Sequence, residues 1–409
     1  MNGNHNKRLD IAESIESVFE EYDEYNSYYE SISVVCRMIS FVLFVCLLLF
    51  VISSAFMGAE EFSYDNLEYI TRNFALKLEE NRDATRQPIR YNPDTKNQIS
   101  LFGEGLAVCG SSWISLYSVT GRQTCSETIT YRTPVMISSD KYVLVYDEGN
   151  CGYTVYNSFS SVHHEVLDNQ ICGADLADNG CYALLLSNGE YNSVVEVYNS
   201  DFALINRYNK NAYVSCVDIT ESEVMIVASD AQLGSSEFSI DILVSVLGEE
   251  KAKFNVNSIA GFPLGCKITP YGYVVVCTDS VLLFSQAGEN VGKYVFGQDN
   301  LADFVISDTN TLLLFKKRSF DIEYELICVE KDGSVLYNNT IYETVFDIEL
   351  NDSRALLLTE TNILCLDENF SNSVNIESSD YNCRILAIDE DAFYYCSNTG
   401  ASAFTIVFD

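Results

Sequence analysis

Histidine, tryptophan and proline are nearly missing from this chain: three, one and five residues in 409. So few histidines remove most metal-binding and base-assisted nucleophilic chemistry. His163 and His164 are adjacent, so on a strand they point to opposite faces and cannot share a ligand directly. No GxSxG elbow accompanies them, no GxGxxG opens a helix, and there is no P-loop or EF-hand loop. Basic residues are scarce as well. Lys and Arg total 24 against 59 Asp and Glu, a net charge of −35, and such a surface repels phosphate backbones. Nucleic acid is therefore not an expected partner. The acidity reads first as a solubilising surface and second as an attraction for cationic partners or calcium.

The fourteen cysteines form no CxxC pair, and most sit singly in apolar runs: Cys109, Cys277, Cys328, Cys396. That is how a small buried hydrophobe is used, and neither zinc spacing nor a disulfide framework is visible. Twelve follow the apolar segment described next, with one or two incidental disulfides left open. So many thiols outside a cell would suit a weakly oxidising habitat. No metal, cofactor or catalytic residue is assigned from the sequence.

Long apolar runs are absent except for one. Met38–Met57 holds twenty residues without a charge, enough helix to span about 30 Å of hydrocarbon. The expectation is a transmembrane helix over 34–57, making the lipid bilayer a partner. Arg37 abuts its N-terminal end and the next positive charge beyond it is Arg72, which favours an inside N-terminus and an uncleaved signal anchor. Residues 1–33 then form an acidic, tyrosine-rich cytoplasmic tail. Residues 58–97 form a juxtamembrane helix and linker, and 98–409 the ectodomain. In the linker Leu67, Ile70, Phe74 and Leu78 share one helical face after Asp65 and Glu68 at capping-box spacing. Six basic residues between Arg72 and Lys96 could place this stalk near anionic headgroups, against the plainer reading of a solvated linker.

What is abundant is tyrosine and phenylalanine, 27 and 23 residues, together with short apolar strands. Pro134–Leu167 reads as four strands separated by tight polar turns. Its second, Tyr142–Tyr146, is apolar on both faces and must be covered on both. Counterparts recur: Leu106–Cys109, Tyr182–Leu186, Val224–Ala228, Tyr273–Cys277, Thr311–Phe315, Ala355–Leu358 and Phe393–Cys396. Their spacing, roughly 35–50 residues, is that of four-stranded propeller blades. A third strand follows many of them and ends in a turn at Gly121, Gly288 or Gly333. No long helix interrupts the array, so βαβ units are excluded. A two-sheet sandwich would leave one face of each strand wet, whereas radial stacking covers both. The fold expected is all-β, a propeller of eight four-stranded blades with seven as the fallback, preceded by a transmembrane helix and a short amphipathic helix. The last repeat shows three strands, and a segment near Thr85–Tyr91 would supply its fourth and close the ring.

Leu101–Val108, Ile114–Tyr117 with Gly121, and Pro134 with Leu144-Val145-Tyr146-Asp147 and Gly149 resemble an uncharacterised Firmicutes family. Its members carry one N-terminal transmembrane helix, a short Asp-Asn-Leu/Ile helix matched here by Asp65-Asn66-Leu67, and an extracytoplasmic WD40- or quinoprotein-like propeller. The resemblance covers about residues 38–409; it implies topology and no catalytic residue. The acidic tail and the many cysteines depart from it. Quinone cofactors in related folds go with repeated tryptophan motifs, which a lone Trp113 does not supply. Trp113 reads as filler at a blade interface, or as an aromatic at a channel mouth. The acidic clusters Asp178-Asn179-Gly180, Asp308-Thr309-Asn310 and Asp389-Glu390-Asp391 fall where turns are expected.

The functional expectation is a membrane-anchored, extracytoplasmic, non-catalytic binding or protein-interaction scaffold. Its partner would be an envelope or membrane protein, or a surface ligand. The alternatives are a carbohydrate-active enzyme, a glycosidase or lyase using carboxylates, and a sensor that couples ligand binding to the cytoplasmic tail.

Overall fold

The computed structural model describes residues 32–45 and 87–407, the latter apart from 95–96, 232–237, 250, 297–299, 318–321, 352–353, 372, 378–383 and 390. The chain divides into two units, Met1–Ala75 and Leu76–Asp409. In the first, residues 32–45 are helical. Among the described residues no helix is long and apolar enough to cross a membrane. The rest of the expected membrane segment (46–57), the acidic tail through residue 31 and the expected amphipathic helix near 62–80 lie outside them.

In the second unit, thirty-two described strands form eight four-stranded antiparallel sheets. Blades 1 to 7 are continuous in sequence: 98–128, 134–166, 170–210, 213–260, 263–295, 300–341 and 345–377. Blade 8 takes three strands from 384–405 and its outermost from Ile89–Arg90, with Ile89 opposite Ala401 and Arg90 opposite Gly400. The fold is thus all-β with eight blades, as the repeat spacing predicts.

Burial explains why these sequences stack. Second and third strands are buried along their length, as in Val143–Asp147, Gly152–Tyr156 and Gly272–Cys277. Fourth strands such as Ser161–Val166 and Asn290–Val295 alternate between exposed and half-buried positions. The apolar cores lie between blades and not within them. Leu312, Leu314 and Leu326 of blade 6 pack on Ala355 and Leu357 of blade 7. Val274 and Leu283 of blade 5 pack on Leu313 and Ile327 of blade 6. Eight such clusters serve eight interfaces, and the eighth joins blade 8 to blade 1 through Ile89, Tyr394, Leu106 and Tyr117. An open row of eight sheets would have seven interfaces, so the ring is closed.

The turns follow the sequence reading. Gly121, Gly288 and Gly333 each precede a fourth strand with φ of 79°, 80° and 87°, a conformation that disfavours a Cβ. The twelve described cysteines are all free, and Cys109, Cys277, Cys328 and Cys396 are buried as expected of small hydrophobes.

Candidate functional site: the central channel and its mouth

The first strand of each blade stands innermost. Its outer edge pairs within the blade, and its inner edge leaves backbone N–H and C=O groups facing the channel, which need partners. Side chains of the preceding blade supply several. Asp175 Oδ2 accepts from the Ile219 amide at 2.7 Å and Asp218 Oδ2 from the Ile268 amide at 2.7 Å. Asp347 Oδ2 accepts from the Ile385 amide at 2.8 Å. Gln98 does the same with both ends of its amide, to the Met136 N–H and the Pro134 carbonyl, each at 2.8 Å. The cations bind carbonyls in the same manner: Lys267 Nζ to Ile306 O at 3.2 Å and Arg384 to Ile99 O at 3.2 Å. Each bond spans a blade junction.

Four of these groups, Asp218, Lys267, Asp347 and Arg384, line a cavity of about 370 Å³ together with Asp303, Phe304 and Glu349. Carboxylates crowd this space while two cations answer them, one of which, Lys267, also meets Asp308 at 3.3 Å. Burial is the largest influence on Asp175, Asp218, Asp347 and Glu349 and pushes each of them up. Asp347 rises to about 6, held back by the Ile385 amide and Arg384. Glu349 rises to about 7, burial being reinforced by the charge on Asp347 and opposed by Arg384 and Lys267. Asp175 and Asp218 are likewise held above the ordinary carboxylate range by burial, the Asp175 charge adding to the rise at Asp218.

A pH dependence of stability follows. For Asp347 and Glu349 the folded-state pKa exceeds the unfolded value of about 4. Between about 4 and 7 the folded chain therefore binds more protons, and stability falls as pH rises through that window. The melting temperature is expected to drop from pH 5 to pH 8. Glu349→Gln should flatten the profile, because it removes one raised group while changing net charge by at most one. An unchanged slope in that variant, measured by calorimetry across the window, would place the pH dependence elsewhere.

At the mouth the inner strands share a second feature. The first strands of blades 3 to 7 each carry a one-residue bulge near their start, skipping Cys172, Ser215, Leu264, Ala302 and Phe346 in turn. The first strands of blades 1 and 2 pair without a bulge. A bulge re-aims a side chain, and four of these five residues are exposed.

Of the features singled out in the sequence, Asp308 reaches the channel through Lys267, and the others go elsewhere. His163 stacks on Phe202 at 4.7 Å and meets Tyr153 Oη at 3.2 Å, while His164 Nδ1 lies 2.9 Å from Thr154 Oγ1. The two face apart on the fourth strand of blade 2 and belong to blade packing. Trp113 packs against the core between blades 8 and 1. Asp178 sits in a turn and accepts from the Asp140 amide at 3.2 Å, and Asp391 pairs with Arg354. Sequence reasoning missed Asp175, Asp218, Asp347, Glu349, Lys267 and Arg384. A usable signal existed: Asp175-Leu176, Asp218-Ile219, Lys267-Ile268 and Glu349-Leu350 all place a charge before the last apolar residue of a first strand.

A closed propeller with a charged throat defines the class. Residues 82–402 match a family described as a family of unknown function (DUF5711), and the chain belongs to that family. No curated protein matches the sequence significantly. Among solved structures, the computationally designed Ika8 protein is similar over 79% of this chain and 100% of its own, with a TM-score of 0.61 and 8% identity. BamB from Moraxella catarrhalis is similar over 78% of this chain and 98% of its own, with a TM-score of 0.52 and 9% identity. At such identities the likeness is one of fold.

Proposed function

We propose that this protein is a membrane-anchored β-propeller, displayed outside the cytoplasm, that works as a non-catalytic binding or protein-interaction scaffold. The observation that carries the scaffold reading is how the ring uses its polar groups. Three channel carboxylates are committed to neighbouring blades' backbone amides, and all eight interfaces are sealed by packed cores. Recognition is then left to the faces and the throat, where shape and charge act without covalent chemistry. The anchor rests on Met38–Met57, whose length and composition suit a bilayer span. BamB and the designed protein contribute the fold to this reading and nothing about a partner.

Two experiments test it. Chemical crosslinking in native membranes, followed by purification of the full chain, should recover a stable protein partner; none in repeated attempts would remove the scaffold reading. For topology, Cys172 is the useful reporter, being the exposed thiol of the propeller among the described cysteines. Burial pushes that thiol above its ordinary value, so labelling is done at pH 8. A membrane-impermeant maleimide should modify intact cells, and Cys172→Ser should remove most of the signal. Modification only after permeabilisation would put the propeller inside.

A further inference from the structure

Strands alternate in direction within a blade, so the starts of first and third strands lie on one face of the ring. On that face Tyr213 begins the first strand of blade 4 and Phe238 the third. Phe262 and Leu264 flank Pro263 at the start of blade 5, and Phe346 is the bulged residue of blade 7. All five are exposed, Tyr213 by 63%, Phe346 by 43% and Leu264 by 41%. Phe238 and Phe262 meet edge to face at 5.2 Å, so the rim is packed in part and not a scatter of single residues. The opposite face differs. Its exposed apolar residues include Val162, Leu204, Val291 and the neighbours Val335 and Leu336, all at the starts of outer strands in four different blades, and Tyr271 is capped by the Lys331 ammonium at 3.9 Å.

We propose that the face bearing Tyr213, Phe238, Phe262, Leu264 and Phe346 docks a segment of another polypeptide in which a lysine or arginine is flanked by apolar residues. The cation enters the throat toward Asp303 and Asp347, which stand nearest the starts of their first strands, with Glu349 and Asp218 deeper in the channel, and the apolar neighbours seat on the rim. Charge decides the occupant. The throat holds more carboxylates than cations, Lys267 is already engaged by Asp308 and the Ile306 carbonyl, and Arg384 by the Ile99 carbonyl. A phosphate-bearing lipid or nucleic acid meets the wrong sign. A bare cation satisfies the throat but leaves the aromatic rim unused, and a cavity of about 370 Å³ admits one side chain and not a folded domain. The net charge of −35 draws basic partners from a distance.

This assignment rests on the scaffold reading, and the test separates the two. The full chain in detergent is titrated with three labelled peptides of equal length: one alternating leucine and arginine, one leucine and glutamate, one serine and arginine. The leucine–arginine peptide should bind, the glutamate peptide should not, and the serine peptide should bind at least tenfold more weakly. The double variant Leu264→Ser/Phe346→Ser and the variant Asp347→Asn, whose amide oxygen still accepts from Ile385, should each lose at least tenfold, while Val335→Ser on the opposite face should not. Equal binding by all variants, or free arginine displacing the peptide at the same concentration as the peptide itself, overturns the proposal. If crosslinking still captures the cellular partner with the Leu264→Ser/Phe346→Ser chain, the surface assignment falls and the scaffold stands. If the wild-type chain captures none, the scaffold reading falls.

Discussion

Ile89→Asp is expected to open the ring. Ile89 is 1% exposed and belongs to the core that joins blade 8 to blade 1, with Leu106, Tyr117 and Tyr394 around it. It is also one of two residues in the strand that completes blade 8. The strand is short, but its surroundings fix it. The Tyr91 amide donates to the Thr399 carbonyl at 3.3 Å, and Tyr91 Oη donates to the Ser397 and Gly400 carbonyls at 2.5 and 3.0 Å. The core around position 89 is built of apolar side chains, with no Lys or Arg among its described members to pair with a carboxylate there. An uncompensated buried charge costs about 3–5 kcal/mol, a large share of a domain's total stability. The loss should be non-local, because every blade of a closed ring borrows both its faces from neighbours. Hydrogen exchange should therefore show blades 8 and 1 losing protection together. Ile89→Val, which removes one methylene, should cost about 0.5–1.5 kcal/mol and leave the ring closed. A denaturation midpoint unchanged by Ile89→Asp would mean that the N-terminal strand is decoration and closure lies in the remaining three strands.

That closure was legible in the sequence for a physical reason. A blade with three strands leaves a row of unpaired backbone groups, and the chain ahead of Gln98 was the available donor. The second strands were legible for a similar reason. Thr311–Phe315 or Phe393–Cys396 show no period-two alternation, and only stacking on both sides accounts for that. The channel was not legible. Asp175 and Asp218 lie far apart in sequence, and their crowding with Lys267 and Asp308 exists only once blades 3 to 6 stand side by side. The charge-before-apolar pattern is degenerate as well, since blade 6 places Val305-Ile306 at the same position. The bulges are invisible for a different reason. A bulge is a statement about register between two strands, and neither strand alone records it. Leu264 and Phe346 read in isolation as ordinary alternating apolar residues.

Gly272→Ala should be among the most damaging single-methyl additions in the molecule. Gly272 opens the second strand of blade 5 directly after a two-residue turn, paired with Thr269 on one side and Ser285 on the other. Its φ of 152° lies in a region that L-residues with a side chain rarely enter. A Cβ there would stand 1.9 Å from the Phe284 carbonyl oxygen, and because that atom is backbone in a buried strand it cannot rotate away. Relief requires shifting the hairpin that holds Tyr273 and Phe284, both fully or nearly buried in the core between blades 4 and 5. Backbone strain of this kind costs about 1–3 kcal/mol, and the displaced packing brings the expected loss to about 3–5 kcal/mol. Gly105→Ala separates the two contributions. Its Cβ would lie 2.1 Å from the Tyr117 carbonyl oxygen, a comparable clash, but Gly105 has no positive φ, so it should lose less. Gly189→Ala, with nothing within 4 Å of the added carbon and no positive φ, should be nearly neutral. Urea denaturation of the three variants beside the wild type gives the order directly. If Gly272→Ala unfolds at the same midpoint as Gly189→Ala, the turn into blade 5 relaxes freely and the hairpin is not held where the packing of Tyr273 and Phe284 requires.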